Sequence, residues 1–185
     1  MTADERARFE RVMLPHLDPA YALAYWLMRN EDEARDAVQE AYLRAFRFYG
    51  SFRGGDGRGW LLKIVRNACN ELRHRERHAA LAGEFDEEAI GPEMVATGAV
   101  IPFPRNPEAG AIERARGELV QQCLRLLPHD FREVVVLRDL HGCSYKEIAS
   151  IVGIPLGTVM SRLARGRRLV MAGITESVKR EETGT

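Results

Sequence analysis

Apolar positions along this chain recur at intervals of three and four, the spacing of helices, in two blocks separated by a stretch where the rhythm stops. In the first block, residues 31–49 put Ala34, Ala37, Val38, Ala41, Tyr42, Ala45 and Phe46 on one stripe, which predicts a buried helix face. The opposite stripe carries Asp36, Gln39, Glu40 and Leu43. A leucine centred on a carboxylate-rich outer face is a candidate protein-docking patch; the plain alternative is a solvated face with one exposed leucine. Residues 60–78 predict a further helix with Leu61, Ile64, Val65, Ala68 and Leu72 inward. Another of its faces carries Lys63, Arg66, Asn70, Arg73 and Arg77, with Asn67 and His74 beside them. Basic residues mixed with amides suit contacts to phosphates and base edges. Between these helices, GSFRGGDGRG (50–59) holds five glycines in ten residues. It lacks the spacing of a phosphate-binding loop and reads as a flexible connector or a place of close ligand approach. Phe52 and Trp60 at its ends are able to stack on unpaired bases, although Trp60 is expected in the core.

In the second block, residues 115–127 place Leu119, Val120, Cys123, Leu124 and Leu127 inward, and Pro128 ends the helix. Residues 130–142 place Phe131, Val134, Val135 and Leu137 inward and close on Gly142. Ser144 and Glu147 have capping-box spacing at the start of a short helix with Ile148, Ala149 and Val152 inward. Gly153 supplies a turn, and Pro155 stands at the start of the last helix. There Val159, Leu163, Gly166 and Val170 share one face; Ser161, Arg165 and Arg168 point the other way, with Thr158 near them and Arg162 at the flank. Residues 155–172 hold four arginines and no acid. A short helix, a glycine turn and a basic helix make a helix-turn-helix, whose second helix enters the major groove. Arginine suits guanine, and serine or threonine suits base or phosphate. Arg162 has two candidate partners, a phosphate or an internal carboxylate.

Composition sharpens this organisation. The 185 residues balance 27 basic against 27 acidic side chains, which on its face argues against a nucleic-acid binder. The balance is an average: residues 1–80 carry net +2, residues 81–114 net −5 and residues 115–185 net +3. The acidic middle also contains Pro92, Pro102, Pro104 and Pro107. The expected fold is therefore all-α. Two small helical bundles, 1–80 and 114–175, flank a flexible acidic linker over 81–113, and a polar, frayed tail follows at 176–185.

Other functions find little support. Cys69, Cys123 and Cys143 are few and far apart, so neither a disulfide framework nor a cysteine zinc site is expected, and a reducing cytoplasm fits. His74 and His78 stand four apart but lack a third ligand, so no metal is expected. No apolar run spans a membrane, and the charged N-terminus lacks a secretory core. No catalytic set, cofactor motif or small-molecule substrate site emerges, so the protein reads as non-enzymatic.

The order DEARDAVQEAYLRAF, FRGGDGRGWLLKIVRNACNELRHRER, then LRLLPHDFREVVVLRDLHGCSYKEIASIVGIPLGTVMSRLARGRRL resembles bacterial extracytoplasmic-function sigma factors, the two-domain group of RNA polymerase sigma subunits. The resemblance implies that 1–80 is sigma region 2 and 114–175 is sigma region 4. It implies docking on the clamp helices of core RNA polymerase through Asp36, Gln39 and Glu40, with Leu43 on the same face. It implies reading of the −10 promoter element within the segment from Phe52 to Asn70. The candidates there are Phe52, Arg53, Lys63, Arg66, Asn67 and Asn70, with Asn67 lining a flipped-base pocket. Reading of the −35 element falls to Thr158, Ser161, Arg162 and Arg165, and the exposed stripe adds Arg168. The acidic linker suits a basic channel of the polymerase. An anti-sigma factor is the implied inhibitory partner. Two departures stand out: Met160 replaces a common Lys or Arg, and the glycine loop is less hydroxylated than usual. Two other functions fit parts of the pattern. A helix-turn-helix repressor would bind promoter DNA without polymerase, and a sigma-mimic adaptor would sequester an anti-sigma factor without binding DNA.

Overall fold

The computed structural model describes residues 3–82 and 111–183, and its regular elements are all helical. The expected linker over 81–113 lies largely outside these residues; helices reach Ala82 on one side and begin at Ala111 on the other. The chain divides into two compact units, Met1–Val100 and Ile101–Thr185.

The first unit contains α1 (Ala3–Met13), α2 (Leu17–Met28), α3 (Glu31–Arg47) and α4 (Gly57–Ala82), with short 3-10 turns at Leu14–His16 and Tyr49–Ser51. Helix α2 is apolar nearly all round: Ala20, Leu23, Ala24, Tyr25, Trp26, Leu27 and Met28 are buried. Such a helix belongs at a centre, and α2, α3 and α4 pack on one another. Asn30 caps α3 by accepting from the Asp32 and Glu33 amides at 2.9 and 3.3 Å. Acids in the first turn of α3 and arginines in its last turn complement the helix dipole.

The stripe predicted for α3 is only partly buried. Ala34, Ala37, Ala41 and Ala45 are sealed, but Phe46 is exposed and Tyr42 half-buried. Small alanine side chains let the neighbouring helices approach closely, which leaves the large residues at the rim. Tyr42 there donates to the Met13 carbonyl at 2.9 Å. On α4 the buried arc is wider than predicted and includes Leu62. The glycine loop is narrower than 50–59. Gly54 and Gly55 take left-handed φ values of 85° and 92°, and the Asp56 carboxylate caps α4 by accepting from the Gly59 amide at 3.0 Å. A Cβ on Gly57 would meet Val12 Cγ1 at 2.9 Å, so backbone approaches α1 closely there.

The second unit contains α5 (Ala111–Leu126), α6 (His129–Val135), α7 (Tyr145–Val152) and α8 (Leu156–Thr183). Helix α8 packs on each of the other three. The single helix expected over 130–142 is α6 followed by a π-helical turn, Val136–Leu140. Arg132 and Glu133 are buried there, which the apolar pattern gave no reason to expect. Arg132 Nη1 donates to the carbonyls of Arg125 and Leu127, both at 3.1 Å, and so closes the end of α5. The tail expected to fray from 176 is helical to Thr183; no glycine or proline interrupts residues 174–183. All three cysteines are buried and none is in a disulfide, and burial pushes the Cys123 thiol up. Among the described residues, no single helix is long and apolar enough to cross a membrane.

Candidate protein-docking and nucleic-acid interfaces

On α3, Asp36, Gln39 and Leu43 are exposed along one face. Glu40 is half-buried and accepts from Arg44 Nε at 2.7 Å. The same guanidinium grips Glu71 on α4, with Nη1 at 2.8 Å and Nη2 at 2.7 Å from its two oxygens. That grip holds the Glu71 carboxyl below its ordinary value and raises Arg44. A cleft of about 440 Å³ opens beside Gln39 between α2 and α3, walled by Leu17, Asp18, Tyr21, Arg35 and Tyr42. Burial, aided by the charge of Asp18, pushes the Tyr42 phenol up to about 12. Leu17, Leu43 and Phe46 are exposed, so apolar surface lies on both helices that form this side.

The glycine loop and α4 form a second surface. Phe52 stacks on Tyr49 with centroids 5.8 Å apart and meets Trp60 at 5.2 Å. Tyr49 in turn packs edge-on against Phe9. This chain of rings ties the loop to α1 and α4. Trp60, expected in the core, is half-buried, as is Phe52. One helical turn after Trp60, Lys63 is exposed, as are Asn67 and Arg53. Arg66 Nη1 donates to Asn67 Oδ1 at 3.5 Å. Asn70, its amide oriented by the same guanidinium, accepts from Arg66 Nε at 3.1 Å. Arg66, Asn67 and Asn70 thus form one hydrogen-bonded group on α4. His74 and His78 are exposed on the same helix.

The third surface is α7, its turn and α8. Ser144 accepts from the Glu147 amide at 3.2 Å, and Glu147 accepts from the Ser144 amide at 2.5 Å, completing the capping box. Gly153 ends α7 at φ 73°, and the chain bends by 102° into α8. That angle suits a helix-turn-helix. Ile148, Ile151 and Val152 anchor α7, while Val159, Leu163 and Gly166 anchor α8. Ile151 was not on the predicted stripe; Ala149, which was, is half-buried. Ser161, Arg165 and Arg168 are exposed and Thr158 is half-buried. Of the two partners open to Arg162, the structure provides the carboxylate: its Nη2 lies 2.6 Å from Asp130 Oδ2. Arg167 is paired with Asp139, which raises its pKa.

Sequence reasoning had no route to the Arg44–Glu71 tie, whose partners lie 27 positions apart, nor to the buried Arg132. The cleft beside Gln39 also needed the fold, since it joins side chains from two helices.

Comparison with known proteins adds an independent line. Residues 13–78 match Sigma-70 region 2, and residues 117–170 match Sigma-70 region 4. The ECF RNA polymerase sigma factor SigE of Mycolicibacterium smegmatis is 35% identical over 173 residues, covering 90% of this chain and 62% of that protein. The chain therefore spans less than two thirds of that relative's length. The ECF RNA polymerase sigma-E factor of Escherichia coli K12 is 35% identical over 147 residues, covering 78% of this chain and 75% of that protein. Among solved structures, the sigma factor RpoE of Bartonella quintana, in complex with the anti-sigma factor NepR, superposes with a TM-score of 0.69 at 26% identity, covering 91% of this chain and 97% of that one. CnrH, in complex with the cytosolic domain of CnrY, shares the fold with a TM-score of 0.59 at 22% identity, covering 90% and 87%.

Proposed function

Since the chain belongs to the ECF group of RNA polymerase sigma factors, we propose that it binds core RNA polymerase and directs initiation at promoters carrying −10 and −35 elements. The α3 face with Asp36, Gln39, Glu40 and Leu43 docks on the polymerase. Lys63, Arg66, Asn67 and Asn70, with Phe52 and Arg53 from the loop, read the −10 element and hold bases released from the duplex. Unstacking those bases costs a few kcal/mol, to be offset by contacts in the loop and α4. Thr158, Ser161, Arg165 and Arg168 on α8 read the −35 element, while Arg162, also expected there from the sequence, is held by Asp130 at the flank.

The observation that carries this reading is the two-sided character of α8. Its inward face is Val159, Leu163 and Gly166, while Arg165 and Arg168 stand exposed behind a capped α7. Any surface helix carries a polar face, but this one holds four arginines and no acid over residues 155–172 and follows α7 through a 102° bend, the layout that presents a helix to the major groove. Net positive charge is modest, +2 over residues 1–80 and +3 over residues 115–185, so each DNA contact is weak alone. Docking on polymerase would fix the spacing of the units and turn two weak contacts into one bivalent event. An anti-sigma factor is the expected inhibitory partner, supported by the likeness to RpoE, which was solved with one.

Run-off transcription with purified core polymerase tests the proposal. The chain should yield a promoter-specific transcript, and duplex binding should need core. Tight sequence-specific binding by the protein alone would favour a repressor, and failure to transcribe any promoter in a random library would favour an adaptor.

A further inference from the structure

Over its first ten residues, the outward side of α8 consists of two parallel lines. Gly157, Ser161 and Arg165 follow one another at intervals of four, and so do Leu156, Met160 and Ala164. Every one of these six residues is exposed. The polar line is sparser than its sequence suggests. Gly157 has no side chain, and Ser161 turns its hydroxyl onto the Thr158 carbonyl at 3.1 Å. Arg162, at the flank, is held by Asp130. Arg165 is therefore the one long polar side chain of the polar line. The middle of the apolar line is Met160, 52% exposed, while the core positions beside it are filled by Val159 and Leu163.

We propose that Met160 is a specificity residue that reads a thymine in the −35 element by packing on its C5-methyl group; this rests on the reading of α8 as the −35 helix. Met160 is the fifth residue of α8, within the N-terminal part of a recognition helix that reaches base edges. Thymine alone presents an apolar group in the major groove. A thioether donates no hydrogen bond and accepts only weakly, so a guanine or cytosine there would be desolvated without a good partner. Methionine is unbranched and flexible, which lets it seat on a methyl group while Arg165 bonds a neighbouring guanine. Leu156 and Ala164 extend the apolar line on either side and limit water around the contact.

The test uses the complete chain bound to core polymerase, with the −10 element held constant. A −35 sequence is first selected from randomised duplexes. Each of its thymines, on either strand, is then replaced by deoxyuridine, which removes the methyl group and keeps the base pair. One replacement should weaken promoter binding by the native protein about fourfold, the value of one buried methyl group. The same replacement should leave Met160→Ala unaffected and should still weaken Met160→Leu. Indifference of the native protein to every replacement overturns the proposal, as does an equal sensitivity in Met160→Ala. If the selection yields no preferred −35 sequence and Arg165→Ala also changes nothing, the assignment of α8 fails and the proposal falls with it. A −35 preference that depends on Arg165 but on no methyl group removes Met160 alone.

Discussion

Gly166 lies where α8 crosses α6. A Cβ at that position would stand 2.7 Å from Val135 Cγ2 and 3.4 Å from the Phe131 carbonyl oxygen. Val135 is buried and β-branched, so it has little room to turn. Replacing Gly166 by alanine gains up to about 1 kcal/mol of helix propensity but incurs overpacking worth about 1–3 kcal/mol. Gly166→Ala should therefore lower the thermal midpoint. Gly157 is the contrast, since nothing lies within 4 Å of its Cβ position. Gly157→Ala should raise the midpoint, and a rise for both would mean that α6 yields freely. The same helix offers a functional prediction at a single side chain. Arg165 is exposed, whereas Arg162 is committed to Asp130. Arg165→Ala should weaken transcription from a −35-dependent promoter by about 1–3 kcal/mol if it bonds a base. Unchanged output would remove it from the reading face.

Between elements, the Arg44 guanidinium joins α3 to α4 through Glu40 and Glu71. Glu71 has a folded-state pKa below its ordinary value of 4.5, first because Arg44 hydrogen-bonds it. Its contribution to stability is therefore complete above that value and is lost as the pH falls through the lower, folded one. All three side chains keep some exposure to water, so the tie is worth no more than about 1 kcal/mol. Arg44→Met should lower the urea midpoint at neutral pH, and the gap from the native protein should narrow as the pH falls below the ordinary glutamate value. A gap that persists in acid would mean that Arg44 acts through packing. This tie also marks what a sequence discloses. The alanines of α3, the inward row of α8 and the Ser144–Glu147 cap are local patterns, and each is visible in a window of a few residues. Residues 17–28 show no single stripe because α2 is apolar on almost every side. Phe46 and Leu62 depend on which neighbours surround a helix, not on its own period. Arg44 and Glu71, like the buried Arg132 and its carbonyls, become partners only through the path of the chain. The exposed residues of the three candidate surfaces were the easier part, since each interrupts a regular polar or apolar pattern.

At the scale of the whole molecule, the two units must act together although the residues that join them are strongly acidic and carry four prolines. How much that segment matters depends on what holds the units in register. If the segment alone did so, doubling its length would dilute one unit about the other roughly threefold, because effective concentration falls as about the −3/2 power of length. If core polymerase grips each unit through its own surface, added length costs less than that. Inserting a glycine–serine segment equal in length to residues 83–110 should therefore reduce run-off transcription by less than threefold. Leu43→Glu places a charge in the exposed apolar part of the α3 face and should reduce both transcription and co-purification with core polymerase far more. A charge introduced at an exposed position leaves the helix intact, which circular dichroism checks. The reverse ranking, with the insertion severe and Leu43→Glu harmless, would mean that the acidic segment carries the contact here assigned to α3, since dilution by length alone is too weak to produce a severe loss.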